Sequence, residues 1–173
     1  GIIQGLADNG YIEGQNLTID YKNAQGDATN LATICQGMDD GTYDLVFTIA
    51  TPATQSFVAL ESDTPCIFCS VAAPVAAGIM SALDTPDMNA TGTSNAIPSG
   101  DILSLGLKIT PDVKKFGLIY CTSEINAVNA MNNAKAWLDE NNYTYEETTV
   151  TTSADVQTAT QAILEKGVDA MFI

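Results

Sequence analysis

The stretch with the most to offer chemically is residues 44–55, D-L-V-F-T-I-A-T-P-A-T-Q. Leu45, Val46, Phe47 and Ile49 make a near-continuous apolar run of strand length, the kind that a parallel sheet covered on both faces requires, and Thr51 and Pro52 stop it. Proline loses nothing at a first helical position, because that N–H has no intrahelical partner, and the Thr51 hydroxyl ahead of it is suited to capping. A helix N-terminus therefore follows directly on a strand. The N–H groups of Ala53, Thr54 and Gln55 would turn a positive pole toward an anionic group such as a carboxylate. The plain alternative is that Thr51 and Pro52 merely start a helix well, as several segments of any α/β protein do.

Other chemistries have less support. Histidine is absent, which removes the commonest general base and metal ligand. A hydrolytic nucleophile would have only a carboxylate or a lysine to activate it. Cys66 and Cys69 form a C-x-x-C, but within an apolar strand pattern, where residues three apart face opposite sides. No second pair follows at metal spacing, so with Cys35 and Cys121 they read as reduced core thiols. No glycines fall in G-x-G-x-x-G or P-loop spacing, and the first half has no paired aspartates at strand ends. No catalytic residue, metal or cofactor is expected. With 21 acidic against 6 basic side chains the formal charge is −15, which repels nucleic acid and anionic membrane. The uncharged window 64–83 is broken by Pro65, Pro74 and Gly78 and reads as strand and loop, not as a membrane span.

The elements that would position these residues alternate regularly. A helix over residues 2–9 closes at Gly10; residues 16–23, N-L-T-I-D-Y-K-N, alternate as a strand with one wetter face; Asp27 caps a helix through about residue 40. A strand over 43–50, a helix over 52–61 and a buried strand over 65–71 follow, then a small-residue loop with Pro74, a short helical turn over 78–83, and a strand over 89–95. The second half repeats this grammar: a helix from Pro98 to about Ile109, a buried strand over 115–121, a helix start at Thr122 and Ser123 with its helix over 124–141, a strand over 144–150, a helix capped by Ser153 and closed at Gly167, and a last strand over 168–173. The fold class is α/β, with parallel sheets in two units, residues 1–95 and 96–173. The chain opens on a helix and stops on a strand, whereas doubly wound units normally begin with a strand that becomes central. Both ends therefore read as incomplete, leaving strand edges that invite self-association.

The motifs add up. Residues 10–27 (G-Y-I-E-G-Q-N-L-T-I-D-Y-K-N-A-Q-G-D), 49–55 (I-A-T-P-A-T-Q), 74–79 (P-V-A-A-G-I), 89–94 (N-A-T-G-T-S) and 120–127 (Y-C-T-S-E-I-N-A) resemble, in this order and spacing, the ABC-transporter substrate-binding family that includes tryptophan- and tyrosine-binding importer components. The resemblance implies a type I periplasmic-binding-protein fold, two doubly wound α/β lobes closing on a small solute, usually an amino acid with aromatic ones prominent. It implies an extracytoplasmic protein, lipid-anchored at full length, that hands its ligand to a membrane permease. This chain would carry the first lobe without its opening strand, one crossing between lobes, and the first part of the second lobe. Position by position, Thr51, Ala53, Thr54 and Gln55 match the first-lobe binding loop, and Ser123, Glu124 and Asn126 match the second-lobe loop. Two helix N-termini would then face one ligand carboxylate, with Glu124 able to take an ammonium group. The family commonly has aspartates where this chain has Ala73 and Asn95, which leaves the amine contact and the ligand class open. The rival readings are a ligand-sensing ectodomain and an enzyme on a flavodoxin-like fold.

Overall fold

The computed structural model describes residues 1–173. Helix α1 (Ile2–Asp8) buries none of its residues. Helix α2 (Ala28–Met38) starts where Asp27 accepts from the Asn30 N–H at 2.7 Å, the expected cap. Strand β1 (Val46–Ile49), helix α3 (Thr51–Val58), strand β2 (Cys66–Val71) and strand β3 (Ala90–Ser94) complete a parallel sheet of order β1-β2-β3.

Three expectations fail in this half. Residues 16–23 form no ladder; their only regular pairing is an isolated bridge between Glu13 and Leu17. Alternation makes a segment suitable for a sheet, but a strand exists only beside a neighbour, and the one partner of β1 is β2. The expected double cover of β1 is also missing. Val46 and Thr48 are buried, whereas Phe47 is 37% and Ile49 53% exposed. Helices α2 and α3 both supply the same core, in which Cys35, Phe57 and Val58 meet Val46, Cys66, Phe68 and Val71. The residues one step out of phase on β1 therefore face the uncovered side. Residues 78–83 form turns, not a helix.

The second half is wound on both faces. Helix α4 (Ser99–Ile109), strand β4 (Lys115–Cys121), helix α5 (Ile125–Glu140), strand β5 (Thr144–Val150), a 3₁₀ turn (Ser153–Asp155), helix α6 (Val156–Leu164) and strand β6 (Ala170–Phe172) build a parallel sheet of order β5-β4-β6. The central strand β4 alternates between two cores. Phe116 and Leu118 meet Leu103 of α4 and Met131, Ala134 and Leu138 of α5; Ile119 meets Ala159 and Ile163 of α6. This is the physical reason for its unbroken apolar run. The α6 segment is capped by Thr152 in a reciprocal box with Asp155, one residue before the expected Ser153.

Polar contacts tie α5 to the sheet beneath it. The Tyr120 hydroxyl donates to Glu147 Oε1 at 2.5 Å, and Lys135 Nζ reaches Glu147 Oε2 at 3.1 Å while lying 5.8 Å from the centre of the Tyr120 ring. The Tyr120 hydrogen bond, with Lys135 beside it, holds the Glu147 carboxyl below the usual carboxylate range. At the other end, Ser99 Oγ donates to the Ala130 carbonyl at 2.8 Å and fastens α4 to α5.

Candidate functional site

Because all pairings in both sheets are parallel, the loops after successive strands emerge at one edge of each sheet. On the first sheet that edge carries the α3 start, the 72–77 segment and the 94–96 segment. The Gln55 side chain joins two of them, its Nε2 donating to the Ala77 carbonyl at 2.9 Å. Beside them Ala72, Ala73, Pro74, Leu83, Ser94 and Ala96 line most of an open apolar groove of ≈410 Å³.

The helix start differs from the sequence reading in a way that matters. The N-cap is Ala50, not Thr51, and no side chain caps it. Ala50 turns the chain from strand to helix in a single residue at φ 73°, ψ 161°, backbone territory that is essentially reserved for glycine. Thr51 is consequently the first helical residue and is buried, and Pro52 is exposed behind it. The Thr54 N–H is spent on the Ala50 carbonyl at 3.2 Å and the Gln55 N–H follows it into the helix ladder, so of the three expected donors only the Ala53 N–H stays outside that ladder. The Thr54 side chain lies wholly inside the protein, 0% exposed, with its hydroxyl 2.9 Å from that of Thr48 and 3.0 Å from the Ala50 carbonyl. Of the four residues named in this loop, Ala53 and Gln55 are half-buried at the edge, and Thr51 and Thr54 are in the core.

In the second unit the loop after β4 exposes Thr122, Ser123 and Glu124, and Glu124 occupies the N-cap of α5 with its carboxylate making no capping bond. Ser123 Oγ lies 3.0 Å from Cys121 Sγ. Ile125, the first residue of α5, packs against the core of the first unit, so the α5 start lies against that unit. Next to it the Asn126 Oδ1 is sealed from solvent and has no hydrogen-bond partner. An acceptor in that position costs about 1–3 kcal/mol unless a donor reaches it. The strain at Ala50 and the orphaned Asn126 oxygen are the features a sequence does not display: alanine carries no mark of positive φ, and an orphan is defined by its neighbours.

The cysteines are free thiols, with Cys35 and Cys66 buried. Burial pushes the Cys66 thiol up from its ordinary range, although the Thr48 hydroxyl beside it acts in the opposite sense.

Comparison with known proteins gives this geometry a context. Residues 1–173 match the ABC transporter substrate binding protein family. The chain is 34% identical over its whole length to a protein of Clostridioides difficile (strain R20291) described as tyrosine-binding protein, and it spans about half of that relative, 50%. A crystal structure of a conserved domain protein from Vibrio cholerae superimposes with a TM-score of 0.93 at 37% identity, over 98% of this chain and 57% of the other. A Streptococcus pneumoniae ABC domain solved in complex with L-Trp superimposes at 0.91 with 30% identity, over 97% and 56%. The α/β architecture with parallel sheets is that of type I periplasmic-binding proteins, of which the chain covers a part. With its full length matched by one family and two related structures superimposing on nearly all of it, the chain belongs to the ABC transporter substrate-binding protein family.

Proposed function

We propose that the protein carrying this chain is the extracytoplasmic solute-binding component of an ABC importer, and that it holds an amino acid, aromatic ones favoured, between two lobes formed around residues 1–95 and 96–173. The observation that carries the reading is the Asn126 oxygen, a buried acceptor without a donor two residues after the exposed Glu124, at a helix start that touches the first unit. A ligand ammonium would satisfy both groups, since it donates to the amide oxygen and pairs with the carboxylate. The ligand carboxylate would meet the α3 start, where Ala53 and Gln55 stand at the edge, and Ser123 across the cleft. The names of the tyrosine-binding and tryptophan-complexed relatives support an aromatic side chain, and the apolar groove beside α3 offers it a surface with no charged lining residue. The family is one of solute carriers, and the protein has no catalysis of its own. Its partners are the ligand and a membrane permease, its anchor is a lipid, and the open edge of β1 is where copies would self-associate. These roles set the assay: calorimetric titration of the protein expressed from its complete reading frame with L-tyrosine, L-tryptophan, L-aspartate and L-lysine. Saturable binding confined to the aromatic pair is the expected result. Binding of none of them, by a folded protein, would refute the proposal.

A further inference from the structure

We infer that Thr54 is a positioning residue for ligand capture: its buried hydroxyl, backed by that of Thr48, holds the Ala50 peptide in the conformation that aims the start of α3 at the cleft. The inference rests on the function proposed above and changes the part Thr54 plays in it, from contact to support.

The direction of each hydrogen bond follows from the number of donors. Thr54 has one hydroxyl proton, and it goes to the Ala50 carbonyl at 3.0 Å, which already accepts from the Thr54 N–H. Thr54 Oγ1 therefore accepts from the Thr48 hydroxyl at 2.9 Å. Thr48 Oγ1, having given its own proton, accepts from the Cys66 thiol at 3.4 Å. The relay runs Cys66 to Thr48 to Thr54 to the Ala50 oxygen, and each donor is used once. On the other side of the same residue the Ala50 N–H donates to the Cys69 carbonyl of β2 at 3.0 Å. The residue in glycine territory is thus gripped from both peptide groups, by the sheet on one side and by Thr54 twice on the other. Alanine has a steric reason to leave that conformation, and the grip is what opposes it. Thr54 is 0% and Thr48 6% exposed, and both hydroxyls are already committed to partners in the core, so any effect on binding passes through Ala50.

The test uses the protein from its complete reading frame, titrated calorimetrically with L-tyrosine and L-tryptophan. Thr54→Ser keeps the hydroxyl and is expected to bind the tighter of the two within threefold of the parent. Thr54→Val keeps the volume and removes the hydroxyl, and is expected to bind at least tenfold more weakly while still unfolding cooperatively. Adding Ala50→Gly to Thr54→Val is expected to recover most of that loss, because glycine occupies the same backbone conformation without strain. A role confined to core packing predicts the opposite pattern, a lowered melting temperature with unchanged affinity and no rescue, and that outcome overturns the inference. So does a loss of binding that glycine at position 50 fails to restore. Should Thr54→Val lose cooperative unfolding, Thr48→Val carries the test: at least a threefold loss of affinity, recovered by Ala50→Gly, supports the relay, and parent-like affinity overturns it. If the parent protein binds neither amino acid, the proposed function falls and this role falls with it; if the parent binds and Thr54→Val binds equally, only the role falls.

Discussion

Replacing Gly100 by alanine sets two effects of opposite sign against each other, and the structure decides between them. Glycine within a helix costs up to about 1 kcal/mol relative to alanine, so propensity alone predicts that the substitution stabilises α4. The added Cβ, however, would lie 2.8 Å from Trp137 Nε1 and 3.1 Å from its Cγ, inside contact distance of a rigid ring. That ring is half-buried, and its neighbours limit how far it can retreat. It stacks on Tyr143 at 6.0 Å and 9°, and Tyr143 is itself met edge-on by Phe116 at 5.6 Å. Nor can α4 lift away easily, because Ser99 next to the substitution is bonded to Ala130 of α5. Overpacking of a filled core costs roughly 1–3 kcal/mol, more than the propensity gain, so Gly100→Ala is expected to destabilise by about 1–2 kcal/mol. In the same helix a Cβ on Gly106 meets nothing within 4 Å, and Gly106→Ala is expected to stabilise by about 0.5–1 kcal/mol. Urea denaturation followed through the fluorescence of Trp137, the chain's one tryptophan, reads both changes with a probe at the site of the clash. In thermal melts each kcal/mol corresponds to about 2–4 °C for a chain of this size. Equal or greater stability of Gly100→Ala would refute the reasoning, by showing that the ring stack yields at no cost.

Three further outcomes are expected. Leu138→Ala, at a fully buried position between α5 and β4, should lose about 2–5 kcal/mol in urea unfolding, whereas a surface-like loss under 1 kcal/mol would contradict the packing described. Glu147→Gln should cost about 1 kcal/mol at neutral pH, a modest figure because the Lys135 pair is partly exposed. The sign with pH follows from the depressed Glu147 carboxyl: its stabilisation is full above the usual carboxylate range and is lost as the pH falls through the lowered native value. Parent and variant melting temperatures should therefore converge below about pH 4, and a gap that widens in acid would refute the assignment. Asn126→Ala should weaken binding of L-tyrosine or L-tryptophan at least tenfold while leaving the ligand-free protein equally or more stable, since it deletes an unsatisfied acceptor. A destabilised variant with unchanged affinity would place that oxygen in the fold and not in the site.

Much of the architecture was legible because it is written in local patterns. The run from Phe116 to Cys121 is almost wholly apolar and emerged in the central strand between two cores, and residues 144–150 alternate and became its half-exposed neighbour. Asp27 capped α2 as its side chain and spacing predict. The misses share one cause. Residues 16–23 alternate as well as residues 144–150 do, yet have no strand beside them, and pairing is a property of two segments. Phe47 and Ile49 read as doubly covered, but whether a helix lies over a given face depends on the path of the chain before and after it.

The site divides along the same line. The residue types and spacing of Thr51, Pro52 and Gln55 after an apolar strand sufficed to place a helix start at a sheet edge, because strand length, proline geometry and parallel topology are sequence-local or follow from alternation. Which of those side chains stay at the sheet edge was decided only by the tertiary structure. After the single-residue turn at Ala50, Thr51 and Thr54 are buried, and Thr54 meets Thr48, which in turn meets Cys66 of the adjacent strand, 18 positions on in the chain. Hydroxyls look alike in a sequence whether they bind a ligand or brace the backbone. What separates the two roles is burial and the count of donors and acceptors around them, and both quantities come into being when the chain folds.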